Sequence, residues 1–195
     1  MKTFAILVVV ANAIRTIILA PVGARAAEFK PEPGYVSLFN GHDLTGWGYR
    51  TNNFDGKLVS DDGRYSGTND VLTVHPREPR LVQTIWTTRE FAHDFILKLE
   101  FRAAVNADSG IFIRKPQLQC RDYLVAGPDK YKSLKQYKPQ DWNEIVVTVK
   151  GGEAHCTCNG EVLEAAMKVP ATGPIGLEGD RGQMEYRRIR LQELP

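Results

Sequence analysis

Long apolar runs, internal repeats and amphipathic helical periods are missing from this sequence once its N-terminal stretch is passed. Without about 20 consecutive apolar residues there is no membrane span, and without a 3.6-residue period there is no helical bundle. An excess of charge of one sign is missing too. Beyond Ala26 there are 22 Lys and Arg against 23 Asp and Glu, because Lys2, Arg15 and Arg25 carry the surplus. A near-neutral chain with no basic stripe has no means of tracking phosphates, which excludes nucleic acid as a partner. No glycine-rich dinucleotide loop is present, so nicotinamide and flavin chemistry are excluded as well.

Cysteine is scarce, with Cys120, Cys156 and Cys158 making an odd set. Cys156 and Cys158 share a strand face and do not bond readily to each other. Either Cys120 pairs with one of them across neighbouring strands, or all three are small buried apolar residues. His155 falls on the opposite face from both thiols, so these residues cannot converge on zinc. Asp61-Asp62-Gly63 matches no defined calcium loop. His42, His75 and His93 fall in loops or at strand starts. No cofactor is called for, and a divalent metal ion is left open.

What is present begins with Lys2, an apolar run from Phe4 to Val10 and a small-residue end at Ala24-Arg25-Ala26, the pattern of a secretory signal peptide over residues 1–27. Arg15 interrupts the run and argues against a membrane anchor. Cleavage after Ala26 or Ala27 is expected to leave a secreted or periplasmic protein. Residues 28–195 suit one domain, burying about 70% of the unfolded surface.

Strands are expected at Tyr35–Phe39, Val71–Val74, Leu81–Thr87, Asp94–Ala103, Gly110–Arg114, Gln117–Tyr123, Trp142–Lys150, Glu153–Cys158, Glu161–Ala165, Ile175–Glu178 and Met184–Leu191, where β-branched and aromatic residues cluster between turn residues. Gly151-Gly152 and Asn159-Gly160 are hairpin signals, so the segments around them form a meander. Residues 43–70 read mainly as loops. Residues 126–140 read as a long surface loop with one helical turn, placed to fold over a polar face. Many short strands without a long helix predict an all-β fold, a β-sandwich of two antiparallel sheets.

Alternation sets Lys98, Glu100 and Arg102 against Leu97, Leu99 and Phe101, then Phe112 and Arg114 against Ile111 and Ile113, then Gln117, Gln119 and Arg121 against Leu118 and Cys120. If these strands are neighbours, Glu100, Arg102, Arg114, Gln117 and Gln119 share one polar face spanning about one or two hexose rings. An ordinary solvated face with cross-strand ion pairs explains the same pattern. Arginines accompanied by amides, with the Asp108-Ser109-Gly110 turn at the rim, favour a sugar-binding face.

Further residues carry a resemblance. Ser37-Leu38-Phe39-Asn40-Gly41-His42-Asp43-Leu44-Thr45-Gly46-Trp47 resembles the motif SLFNG-x-DL-x-GW. Leu99-Glu100-Phe101-Arg102 resembles LEWR, and Asp108-Ser109-Gly110-Ile111-Phe112-Ile113-Arg114 resembles NSGIF-x-R. Trp142-Asn143, Asn159-Gly160 and Gly173-Pro174-Ile175-Gly176-Leu177 are similar to the later landmarks WN, NG and G-x-IGL. These resemble the motifs of the 3-keto-disaccharide hydrolase domain family, and they run in order from Ser37 to Leu194. The resemblance implies a concanavalin-A-like jelly roll with a concave carbohydrate-facing sheet. For some members it implies cleavage of glycosides oxidised to a ketone at C3, with partner enzymes that oxidise and reduce that carbon.

Such a ketone acidifies the C2 proton. One base can remove it while a cation stabilises the enolate, and the aglycone leaves by elimination before water adds back. This route does not need the paired carboxylates of ordinary retaining glycosidases. Where the family has E-x-Q-x-x-D, this chain has Gln117-Leu118-Gln119-Cys120-Arg121-Asp122. Where the family has LQ-x-HG, it has Leu177-Glu178-Gly179-Asp180-Arg181-Gly182. Either the carboxylate has moved across the site or only a binding fold remains.

The base candidates are Glu178, which parity sets opposite Ile175 and Leu177, then Asp180 and Glu100. Arg102 and Arg114 are candidate electrophiles, Gln117 and Gln119 sugar contacts, and Trp142 either a stacking platform or an aromatic closing the core. The readings are an exported enzyme acting on 3-keto-glycosides, a lectin-like carbohydrate-binding module, and a structural envelope protein. An enzyme should half-bury its carboxylate beside Arg102 or Arg114, whereas a lectin face should leave it solvated.

Overall fold

A computed structural model describes residues 29–125 and 127–195. The expected signal peptide, residues 1–27, lies outside the described residues. The strands are β1 (Val36–Ser37), β2 (Trp47–Tyr49), β3 (Asn52–Asn53), β4 (Tyr65–Thr68), β5 (Val71–Val74), β6 (Gln83–Thr87), β7 (Phe95–Ala103), β8 (Gly110–Ile113), β9 (Gln117–Gln119), β10 (Asn143–Lys150), β11 (Glu153–Cys158), β12 (Glu161–Lys168), β13 (Ile175–Gly179) and β14 (Met184–Glu193). One short helix, α1, spans Asp129–Lys132.

Two antiparallel sheets result. One runs β12-β11-β10-β7-β14-β5-β4, with β1 also on β14, and the other runs β3-β2-β6-β13-β8-β9. Strand alternation builds the core between them. Phe95, Leu97, Leu99 and Phe101 of β7 and Ile145, Val147 and Val149 of β10 are buried, as are Ile85, Ile111, Ile113, Ile175 and Leu177 of the smaller sheet. The β-sandwich expectation agrees with this architecture. The β10-β11-β12 meander turns at Gly151-Gly152 and Asn159-Gly160, where all four residues have positive φ, the geometry that matches the twist of the flanking strands.

The structure corrects the shared polar face. β7 lies in the eight-stranded sheet, whereas β8 and β9 lie in the six-stranded one. The connection from Ala103 to Gly110 is too long for a tight hairpin and carries the chain from one sheet to the other. Residues 43–70 also hold more strand than their composition suggests, namely β2, β3 and β4. The loop with α1 does not cover a polar face. It inserts Tyr131 and Tyr137 into the core beside Tyr123 and Phe101, and its backbone is bonded to Glu161.

All three cysteines are buried and unpaired, while His155 is exposed on the far side of β11. The Asn40-to-Trp47 motif is a turn. Asn40 accepts from the His42 and Asp43 amides, Asp43 accepts from the Thr45 amide, and Trp47 is buried. The carboxylate of Asp62 is taken up by Tyr49, Ser60 and the Arg64 amide.

Candidate functional site

Within the six-stranded sheet, Ile175 and Leu177 of β13 face the core, so Gly176 and Glu178 face outward. The register places Trp86 and Phe112 on either side of Gly176, and Gln117 and Gln119 of β9 across β8 from it. Gly176 leaves room for an aromatic lying flat, since a Cβ there would come 2.7 Å from the Trp86 ring. Trp86 thus meets Phe112 with ring centroids 5.2 Å apart. In the same way the side chain of Gln117 lies across Gly110.

Glu178 is half-buried at the centre of this face. Its Oε2 accepts from Gln117 Nε2 at 2.5 Å, and Gln117 Oε1 accepts from Gln119 Nε2 at 2.8 Å. Burial pushes the Glu178 carboxyl above the ordinary carboxylate range. The Gln117 bond opposes this, the charges of Asp180 and Asp108 add to it, and Arg121 pulls the other way. Asp180 is held bidentately by Arg80 at 2.5 and 2.7 Å, and Asp108 pairs with Arg121 at 2.8 Å. Both aspartates therefore already carry a cation.

The strand end is fixed from beneath. The buried Ser109 hydroxyl donates to the Glu178 carbonyl at 2.6 Å, and fully buried Arg64 donates to the carbonyls of His75, Leu81 and Asp180. Gln119 Oε1 and Arg121 Nε are buried with no partner among the described residues. A buried acceptor and a buried donor without a protein partner leave hydrogen bonds for internal water to fill.

The other sequence-derived candidates lie elsewhere. Glu100, Arg102 and Trp142 are on the outer face of the eight-stranded sheet, across the sandwich from Glu178. Glu100 is held by Arg187 at 2.6 Å and Arg188 at 2.8 Å. Arg102 bonds Glu185 at 2.5 Å, and its guanidinium and that of Arg187 lie 4.8 and 4.0 Å over the Trp142 ring. The indole neither closes the core nor offers an unoccupied platform.

Arg114 does not reach the outer face. Its φ of 62° breaks the strand alternation after Ile113 and turns the side chain inward. There it donates to the carbonyls of Pro170 and His93 and lies 5.3 Å over Phe95, only 4% exposed. The cations beside the half-buried carboxylate are therefore Arg121 and Arg80, not Arg102 and Arg114.

Trp86, Phe112, Arg80 and Arg121 complete the face without having been singled out as site residues. The parity of β6, β8 and β9 could have placed Trp86, Phe112 and Arg121, but Arg80 sits in a loop and has no local signal. Among the described residues no three of His, Cys, Asp and Glu gather as a metal site.

The architecture is that of the concanavalin-like jelly rolls, a class containing glucanases and lectins. A Bacillus licheniformis β-glucanase superposes with a TM-score of 0.53 at 10% identity, covering 83% of this chain and 97% of its own. A provisionally assigned glycosyl hydrolase from Parabacteroides distasonis superposes with 0.63 at 18% identity, covering 83% and 95%. The carbohydrate-binding module CBM66 from Bacillus subtilis gives 0.51 at 9%, covering 77% and 97%. Within this class the chain belongs to the 3-keto-alpha-glucoside-1,2-lyase-like domain family, whose model matches residues 34–192. This makes its role carbohydrate-related. No curated protein matches the sequence significantly.

Proposed function

We propose that the protein is an exported enzyme, secreted or periplasmic, that cleaves 3-keto-glycosides by elimination, with Glu178 as the base. The observation that carries this reading is the position of Glu178: a half-buried carboxylate with a raised pKa, aimed outward from the middle of a face that also holds amides and aromatic rings. A base tuned upward matches proton abstraction next to a ketone better than an ordinary surface carboxylate does.

The departures from the family pattern support the same assignment. The Glu and Gln of the family motifs are exchanged here, and Gln117 and Glu178 face each other at 2.5 Å, so an exchange keeps one carboxylate and one amide in contact. In the proposed step Glu178 takes the C2 proton, the C2 electrons form the C1–C2 double bond through the enolate, and the C1–O bond breaks. Arg121 is the nearby cation for the enolate oxygen. Asp108 and Asp180 are engaged by arginines, so the proton on Glu178 is the one available to the departing oxygen. Water then adds across the double bond.

A lectin-like reading has its own support. Both flanking cations are already paired, neither Arg102 nor Arg114 stands beside Glu178, and the Gln117 and Gln119 amides suit sugar hydroxyls whether or not a bond is broken. Product release from matched 3-keto and unoxidised glycosides separates the two. Turnover of the keto compounds alone, falling about 10²- to 10⁴-fold in Glu178→Gln, is expected of the enzyme. Its rate should also drop as the pH falls through the raised Glu178 pKa, since the base must be ionised. Saturable binding of both sets without turnover would replace the enzyme by the lectin.

A further inference from the structure

Arg50 is unlike the other arginines. Among the described residues, every other arginine pairs with a carboxylate or donates to backbone carbonyls. Arg50 does neither. It sits in the two-residue turn between β2 and β3, which raises its guanidinium to 4.5 Å over the Trp86 ring. The indole in turn lies on Gly176. A planar guanidinium stacked on an aromatic ring keeps its edge N–H groups free, and that fork matches a carboxylate.

A cleft of about 340 Å³ opens beside it, lined by Arg50, Trp86, Asn52, Asn53, Thr88 and Glu90 among others. Glu90 forms no ion pair with Arg50. Its carboxylate is met by the Thr172 hydroxyl at 3.4 Å and can accept from a sugar hydroxyl. The distance to the base is set by the sheet. Trp86 is level with Gly176 on the neighbouring strand, and Glu178 is two residues further along β13 on the same face, so one strand spacing and two residue rises put Trp86 and Glu178 roughly 8 Å apart. A disaccharide spans that distance, so one with its reacting ring at Glu178 places its second ring at Trp86.

We propose that Trp86, Phe112 and the Arg50 cleft form a leaving-group subsite for a ring that bears a carboxylate, as in a uronic acid. The proposal rests on Glu178 acting on the adjacent ring, and the experiment keeps the two apart. Calorimetric binding is measured with an unoxidised disaccharide ending in glucuronate and with the same disaccharide ending in glucose, and turnover is measured with the 3-keto form of each.

The acidic member should bind about two- to fivefold more tightly, the range of an exposed charge-assisted contact. In turnover the difference should fall on KM. It should vanish in Arg50→Gln, persist in part in Arg50→Lys and shrink at about 0.5 M salt. Equal affinities in the wild type, or a preference that survives Arg50→Gln, would overturn the subsite. Acid-selective, Arg50-dependent binding without turnover of either keto compound would remove the proposed reaction and leave the subsite standing. Turnover without acid selectivity would do the reverse.

Discussion

Replacing Gln117 by Glu places a second carboxylate against Glu178, in a contact that is now a 2.5 Å amide-to-carboxylate hydrogen bond. Two carboxylates about 4 Å apart repel by about 4 kcal/mol at an effective dielectric near 20. Protonation caps that penalty. At pH 7, protonating a group of ordinary carboxyl pKa costs about 3.7 kcal/mol. The proton then restores a hydrogen bond worth about 1 kcal/mol, so the net destabilisation should be about 2 to 3 kcal/mol.

The sign with pH follows from the direction of the shift. The carboxyl pair has a folded-state pKa above its unfolded value, so the variant should match the wild type below the unfolded carboxyl pKa and lose ground as the pH rises through the folded one. Urea unfolding of Gln117→Glu at about pH 4 and pH 7 measures this directly. The double variant Gln117→Glu with Glu178→Gln runs the same hydrogen bond in reverse and should recover to within about 0.5 kcal/mol of the wild type. A single variant as stable as the wild type at pH 7, or a double variant that fails to recover, would refute the contact.

Two further outcomes test the framework of the site. Gly176→Val drives a side chain into Trp86 and Thr84, where even a Cβ comes within 2.9 Å. It should cost about 1 to 3 kcal/mol in thermal unfolding and shift the Trp86 fluorescence; an unchanged spectrum would show that the ring does not lie on that glycine. Arg64→Met removes the donor shared by the carbonyls of His75, Leu81 and Asp180. It should cost about 2 to 4 kcal/mol and speed tryptic cleavage at Arg77 and Arg80, and unaltered stability and cleavage would mean that this buried cation does not pin the loop.

Local rules sufficed wherever the determining physics was local. The 2-residue period of β7 and β10, the positive-φ turns at Gly151-Gly152 and Asn159-Gly160, and the outward parity of Glu178 could all be read from residues a few positions apart. The same parity put Glu100 and Arg102 on a polar face, correctly as a face, but could not say of which sheet. A six-residue connection decided that by crossing the sandwich, and it separated Glu100, Arg102 and Trp142 from Gln117, Gln119 and Glu178.

What the sequence by itself determined was the strand content outside residues 43–70, the class of fold and the family, because side-chain alternation, turn chemistry and short motifs are properties of neighbours along the chain. Tertiary structure alone decided which charges meet. Arg80 reaches Asp180 across 100 residues, Gln117 reaches Glu178 across 61, and Arg64 reaches the Asp180 carbonyl across 116. It also withdrew Arg114 from the surface through one left-handed φ and left Arg50 without an anion on Trp86. Electrostatic partnership depends on distances of a few ångströms between groups far apart in sequence, and only the register of the two sheets sets those distances.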